Sequence, residues 1–234
     1  MDEKWFYITY DGHKFYVVAG EELPYRSCQS KRYITKVMFM CTVSRPIYSE
    51  DGELLFDGKI GSSKHISIQQ DNARPHIKNN DPEFMVVANS DGFKIELIFQ
   101  PPNSPDLNVN DLGYFRALQS LLSKQAAKSV DELCNSVMQS FVNYTHIKLN
   151  NIFLTLQSVM VEIIKSKGHN DFAIPHTKKG MLAALGILPR NLEVSEDLVR
   201  ECIGYLEGIG QTEGLEYLMG ELGYNVQALV VQNI

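Results

Sequence analysis

The spacing of apolar residues in this 234-residue chain changes near Pro105, and this change constrains the fold more than any other feature. Before Pro105, apolar residues alternate or form short runs, as they do in β-strands. After it, they recur every three to four residues, as they do on one face of an α-helix. Strands followed by helices predict a mixed α/β fold.

The first hundred residues contain the predicted strands. Residues 5–10 and 14–18 flank Asp11-Gly12 and predict a β-hairpin, with Trp5 interpreted as a core residue. The near-continuous apolar run 36–43 predicts a strand buried on both faces. Shorter strands are predicted at 54–56, 66–70 and 94–99, and the segment 77–92 is interpreted as a poorly patterned helix or loop.

The helical half begins with Asn110, a predicted N-cap. An apolar stripe follows it, formed by Leu112, Phe115, Leu118 and Leu122. Further helices are predicted at 130–144 and 151–166, the second ending at Gly168. Beyond an N-cap at Ser195, frequent glycines predict short helices. We therefore predict a domain over residues 1–166 and a helical extension over 167–234.

The charge balance is acidic, since 22 Lys and Arg against 28 Asp and Glu give a net charge of −6. This argues against a protein that coats DNA through a basic face. It leaves open a site whose carboxylates hold cations against DNA, because bound cations reverse the local sign of charge. The four widely spaced cysteines suggest neither a zinc site nor a disulfide framework. No apolar run approaches the ~20 residues of a membrane span, and no signal peptide is apparent, so an intracellular protein is expected.

Three aspartates stand where metal ligands are found. Asp71 follows a predicted strand, Asp111 lies in a first helical turn, and Asp2 adjoins the first strand. Each has a simpler explanation: a turn after a strand, the helix dipole, or a solvated terminal charge. Together they would form a carboxyl cluster that is stable only when cations neutralise it, a site that suits magnesium.

Other polar residues near these aspartates receive ordinary interpretations. His76 lies close to Asp71 and would be able to touch phosphate, but a surface histidine after a turn is the preferred interpretation. Lys4, Arg32, Lys36 and Arg74 are interpreted as solvated charges.

Eight short segments occur in an order that is far more specific than any one of them. They are DEKWFY (2–7), PYRSCQSKR (24–32), KVMFM (36–40), LFDGKIG (55–61), QQDNARPH (69–76), PPNSPDLNVNDLGYF (101–115), LNNIF (149–153) and IPH (174–176). On these segments the chain resembles mariner-like DNA transposases, most closely the plant-type group, over roughly residues 2–192.

The resemblance implies an RNase H-like fold, a mixed sheet flanked by helices, with a D-D-D triad that binds two Mg²⁺ or Mn²⁺ ions. The three ligands would be Asp2, Asp71 and Asp111, the last in preference to Asp106. The 39 residues between Asp71 and Asp111 (72–110) are the spacing of the plant-type group. Two ions would activate the attacking oxygen and stabilise the leaving oxygen of phosphoryl transfer.

The implied function is metal-dependent DNA cleavage at transposon ends and transfer of the freed 3′ ends into a TA target. The implied partners are therefore transposon-end and target DNA, and a second copy or a full-length transposase. The implied compartment is the nucleus, and no membrane is involved.

The chain also departs from the family pattern. Relatives carry helix-turn-helix modules before the first aspartate, whereas only Met1 precedes Asp2, so specific end recognition is expected to be absent and Asp2 to lie at a frayed strand end. A deletion is predicted near 61–65, where the loss of a helix would leave apolar surface exposed or covered by a partner. Two alternatives follow: a catalytically inactive, transposase-derived remnant acting as a protein-interaction module, and a generic RNase H-like nuclease.

Overall fold

A computed structural model describes residues 1–8, 20, 31–59, 65–74, 76–102, 104–123, 127–169 and 171–210. Its elements are β1 (Asp2–Tyr7), β2 (Lys36–Cys41), β3 (Ile47–Tyr48), β4 (Leu54–Phe56), β5 (His65–Gln70), α1 (Pro82–Ala88), β6 (Lys94–Phe99), α2 (Phe115–Leu122), α3 (Val130–Asn143), α4 (His146–Lys165), α5 (Lys179–Ala184) and α6 (Glu196–Gly208). The predicted α/β class is confirmed. The predicted hairpin around Asp11-Gly12 and most of the predicted deletion near 61–65 lie outside the described residues.

The described chain forms two compact units. Unit 1 contains Met1, Val43–Tyr114 and the described residues from Thr145 onwards, and unit 2 contains the described residues of Asp2–Thr42 and Phe115–Tyr144. The predicted boundary at residue 166 stays a prediction.

Unit 2 consists of an antiparallel strand pair and two helices. β1 pairs with β2, so that Asp2 lies opposite Cys41 and Tyr7 opposite Lys36. Phe6 is 1% exposed and packs edge to face on another ring of the same sheet, that of Phe39. The buried residues Leu118 of α2 and Leu133 and Val137 of α3 complete this core. Ser129 caps α3, which begins where the sequence predicted it.

Two predictions about the strands of unit 2 are wrong. β2 is not buried on both faces, because its exposure alternates and the Met38 and Met40 side chains are 53% and 64% exposed. Trp5 is not a core residue: it is 42% exposed, lies opposite Met38, and has the Lys36 ammonium 4.3 Å from its ring centroid. Alternate side chains of a strand point to opposite faces, so an apolar run does not by itself bury both.

Unit 1 contains an antiparallel pair and a parallel pair of strands. β3 pairs with β4, and β5 lies parallel to β6 with Gln70 opposite Phe99. α4 contributes much of the core of unit 1, since Leu149 and Val159 are fully buried and Leu154 is 2% exposed. By length and composition α4 would also be able to cross a membrane, but the same is true of core helices, and its apolar face is packed in this unit.

The ends of α4 follow from local hydrogen bonding. The helix begins at His146, five residues before the predicted start, because the Thr145 hydroxyl accepts a bond from the Lys148 backbone N–H. Gly168, with φ +88°, donates its N–H to the Ile163 carbonyl at 2.9 Å and closes the helix as predicted. Ser195 caps α6 as predicted, although that helix is 13 residues long and not short.

Gly58 has no room for a side chain. Its φ is +87°, and a Cβ there would collide with the Ser44 carbonyl and lie 2.8 Å from the Leu149 side chain. We expect Gly58→Ala to destabilise unit 1 by left-handed strain of about 1–2 kcal/mol plus about 1–3 kcal/mol of overpacking. Gly168→Ala is the control, with φ +88° and open space around it, and should show the strain alone. Urea unfolding of both variants makes the comparison, and equal losses would contradict the crowding at Gly58.

The two parallel strands also share a hydrogen bond between side chains. The Ser67 hydroxyl donates to the Glu96 carboxylate at 2.6 Å, which lowers the pKa of that carboxyl, with smaller lowering by His65 and Lys94. This contribution to stability is present above the unfolded-state pKa and is lost as the pH falls through the folded-state pKa. We expect Ser67→Ala to raise the pKa of Glu96, measured by NMR titration, whereas Ser90→Ala leaves it unchanged. An unshifted pKa in Ser67→Ala would refute the assignment of this cause.

Candidate metal centre

Asp71 follows β5 directly and lies at the carboxyl end of the parallel strand pair. Its Oδ1 accepts a hydrogen bond from the Ala73 backbone N–H at 2.9 Å and lies 2.7 Å from His76 Nδ1. The side chain is nevertheless 46% exposed. The carboxylate is therefore held in position and still open to solvent.

His76 is not the surface residue that the sequence predicted. Its side chain is only 9% exposed, because the chain turns back after Asp71 and the His76 N–H bonds to the Ala73 carbonyl. A carboxylate only accepts, so Nδ1 is the donor to Asp71 Oδ1. The Asp71 carbonyl lies 3.2 Å from the same nitrogen. His76 is thus a positioning residue for Asp71, which the sequence signalled only by their proximity.

Three side-chain amides brace the chain around Asp71. Each donates to a backbone carbonyl of a different segment: Gln69 to Leu107 (3.0 Å), Gln70 to Ile77 (2.7 Å) and Asn72 to Gln100 (2.6 Å). Gln70 is 1% exposed, so this bond satisfies an amide nitrogen that the fold has removed from water. Each residue of the motif QQDN therefore has a structural task. Asp71 supplies a carboxylate, and the other three residues supply amides that hold the surrounding loops.

A further amide covers the edge of β6. The Asn79 side chain donates to the Leu97 carbonyl at 2.8 Å and accepts from the Leu97 N–H at 3.0 Å. These two bonds satisfy the backbone of one residue, as a neighbouring strand would. The loop after Asp71 is thereby attached to the strand that runs beside β5.

Asp111 lies on a π-helical turn, Asn110–Tyr114, that leads into α2. Its side chain is exposed, and Asn108 donates to its Oδ2 at 3.4 Å. Asn110 is not the N-cap: Asn108 accepts the Asn110 N–H on its side chain and the Leu112 N–H on its carbonyl, while Asn110 is 2% exposed within the turn. π-turns in helices are frequent at functional sites.

Asp71 and Asp111 both belong to unit 1. The Gln69 side chain, two residues before Asp71, is bonded to the Leu107 carbonyl, four residues before Asp111. Met1 of the same unit donates from its amino group to the Gln69 carbonyl at 2.7 Å. The end of β5, which precedes Asp71, is therefore hydrogen-bonded to the segment that precedes Asp111.

Asp2 belongs to unit 2, where it is the first residue of β1. It is 9% exposed, lies in register with Cys41, and accepts the Glu3 N–H on Oδ1 at 2.7 Å. The expectation that Asp2 lies at a frayed strand end is therefore wrong, because the residue is paired in the sheet of unit 2.

The donor chemistry of these residues fits magnesium or manganese, which prefer carboxylate oxygens. Among the described residues, however, no group of three or more His, Cys, Asp or Glu side chains is arranged to hold a metal ion. Asp71 Oδ1 is also engaged by Ala73 and His76. The carboxylates thus fit in kind.

An open cavity of about 570 Å³ lies beside this centre. It is lined by residues of the loop 72–80 and by Phe99, and we call it the loop groove. Arg74 and Lys78 contribute its two basic side chains, and none of its lining residues is acidic. Two of its lining residues, Ala73 and His76, contact the Asp71 carboxylate, so the groove lies next to it.

No protein-family model, no curated protein and no solved structure matches this chain. The resemblance to mariner-like transposases therefore rests on the sequence motifs, and the function that it implies stays a prediction.

Asn79 provides a direct test of how the loop is held. We expect Asn79→Ala to lower the free energy of unfolding by about 1–3 kcal/mol, because both hydrogen bonds to the backbone of Leu97, which is 6% exposed, are lost. Asn80→Ala is the matched control, since Asn80 is the exposed neighbour on the same loop, and should change stability by less than about 0.5 kcal/mol. Denaturant unfolding measures both, and similar values for the two variants would contradict the bracing role.

Proposed function

We propose that this chain is the catalytic domain of a mariner-like DNA transposase, with Asp2, Asp71 and Asp111 as ligands of two Mg²⁺ or Mn²⁺ ions. The observation that carries the proposal is the setting of Asp71. The residue that matches the second metal ligand ends a strand, is held by His76 and Ala73, and remains 46% exposed. Ligands are positioned in this way when a site is preorganised on a rigid element.

The finer fold assignment, RNase H-like, is part of the same proposal. It is supported by unit 1, which contains an antiparallel pair (β3 and β4) and a parallel pair (β5 and β6) in separate two-stranded sheets, the two kinds of pairing that a mixed sheet contains. Helices in each unit supply apolar surface that packs in its core.

Bound divalent ions would supply activation of an attacking water or 3′ hydroxyl and neutralisation of charge on the phosphate. The residues of the chain have different tasks. Asp71 and Asp111 would provide the oxygen ligands, His76 holds the Asp71 carboxylate, and Asn108 contacts the Asp111 carboxylate. Supporting partners of this kind orient ligands and are worth about 10–100-fold in metal affinity or activity.

The proposed substrates are transposon-end DNA and a TA target, bound at the catalytic site and not over the whole acidic surface. The proposed partner is a second copy or a full-length transposase, and the proposed compartment is the nucleus. DNA must reach carboxylates in a chain of net charge −6, so we expect its binding at these carboxylates to depend strongly on metal and salt.

The test is Mn²⁺-dependent nicking of supercoiled plasmid and joining of pre-cleaved mariner-type ends. We expect Asp71→Asn and Asp111→Asn each to lower both rates by about a hundredfold or more, because each removes a charged ligand. His76→Ala should lower them about 10–100-fold. Asp91→Asn is the control, an exposed aspartate of the same unit whose positive φ asparagine tolerates.

The products distinguish the proposed enzyme from a generic nuclease. Joined ends flanked by TA support transposition, whereas nicks without joining and without sequence preference indicate the nuclease. Activity that is unchanged in Asp71→Asn would refute the triad.

The second candidate is the inactive remnant that acts through protein contacts. It is favoured by the exposed apolar row Trp5, Met38 and Met40 of unit 2. This candidate predicts co-purification with a full-length mariner-type transposase in the absence of metal. A chain that stays monomeric and unbound in that mixture would refute it.

A further inference from the structure

The loop groove has the size of a small-ligand site. Its volume of about 570 Å³ lies within the range of about 300–1,000 Å³ that is common for such sites. One wall is the loop 72–80, and another is the ring of Phe99, which is 39% exposed. Phe99 is the register partner of Gln70, so this ring lies opposite the residue that precedes Asp71.

The charge of the groove is opposite to that of the chain. The lining includes Arg74 and Lys78 and no carboxylate, although the whole chain has more acidic than basic residues. Both side chains are exposed, and within the described part of the chain neither is recorded in an ion pair. They therefore remain available to an anionic ligand, and guanidinium and ammonium groups both bind phosphate.

Several other polar groups of the lining already have a structural task. The Asn79 amide is bonded to Leu97 through both its nitrogen and its oxygen, and Asn72 donates to the Gln100 carbonyl. His76 faces Asp71. The groups left to recognise a ligand are thus two cations, the exposed Asn80 amide and an aromatic ring.

We propose that the loop groove binds one unpaired nucleotide of a DNA strand, with its phosphate at Arg74 and Lys78 and its base against Phe99. This inference rests on the proposed function, since it names the part of the substrate that lies next to Asp71. An aromatic ring together with cations is the combination that binds single strands. A base in a duplex is stacked on its neighbours and does not offer its face to a ring, so the ligand is an unpaired nucleotide.

The experiment measures the anisotropy of a short fluorescein-labelled oligothymidylate mixed with the full chain in EDTA at low salt. We expect tighter binding of this single strand than of a blunt duplex of the same length. Phe99→Ala should weaken binding by about 5–150-fold, the effect of one lost base stack. Phe99→Trp should retain binding because it keeps a ring, and Arg74→Ala with Lys78→Ala should weaken binding and reduce its salt dependence.

Matched controls lie in the same unit. Phe93 is 38% exposed, nearly the same as Phe99, but does not line the groove, so Phe93→Ala should bind as the unchanged chain does. Lys148→Ala is the control for loss of a basic side chain outside the groove, since Lys148 is exposed on α4, and it should also bind as the unchanged chain does. Because Phe99 ends β6, circular dichroism melting establishes that each variant is folded, and Phe99→Leu replaces Phe99→Ala where that variant is not.

The outcomes separate this proposal from the catalytic one. Equal affinity of Phe99→Ala or Phe99→Leu and the unchanged chain would overturn the groove assignment, as would equal losses in Phe93→Ala. Competition by thymidine monophosphate as strong as that by the oligonucleotide would show a free-nucleotide site and overturn the strand assignment. If Asp71→Asn loses nicking but still binds the oligonucleotide, both proposals are supported. If the unchanged chain binds the oligonucleotide but never nicks DNA, the groove proposal stands and the proposed transposase activity is refuted.

Discussion

The hydrogen bonding of side-chain amides at the end of β5 is the constraint on which the local structure of unit 1 depends. Gln69, Gln70 and Asn72 satisfy backbone carbonyls of three separate segments, and such carbonyls need partners when they are removed from water. Since all three donors belong to one short stretch of chain, the loops are fixed relative to Asp71. The position of that carboxylate is set by the fold and requires no ligand.

The local elements could be predicted from the sequence, because their causes are local. β5, β6 and α3 follow from apolar spacing, while Ser195 begins a helix and Gly168 ends one where their chemistry indicates. The packing against each face of a strand could not be predicted in the same way. The apolar run at β2 is typical of a strand buried on both faces, yet Met38 and Met40 are exposed, since burial depends on what packs against each face.

For the candidate site, too, local placement could be predicted from the sequence and long-range packing could not. The motif identified Asp71, and its place after a strand is confirmed. The burial of His76 depends on how the chain turns back after Asp71, which the sequence pattern does not encode. Asn108 rather than Asn110 begins the next helix, and this too depends on a turn of the backbone that the pattern does not encode. The arrangement of three carboxylates around metal ions depends on contacts over long sequence separations, and it stays a prediction.

The number of Mn²⁺ ions that each chain binds decides whether Asp2, Asp71 and Asp111 hold metal. Titration of the chain with Mn²⁺, followed by electron paramagnetic resonance of the free ion in the presence of DNA, counts the ions held. The proposed three-aspartate site predicts two bound ions per chain and the loss of at least one in both Asp71→Asn and Asp111→Asn, with Asp91→Asn unchanged. Binding that is absent in the unchanged chain, or identical in all four proteins, would contradict it.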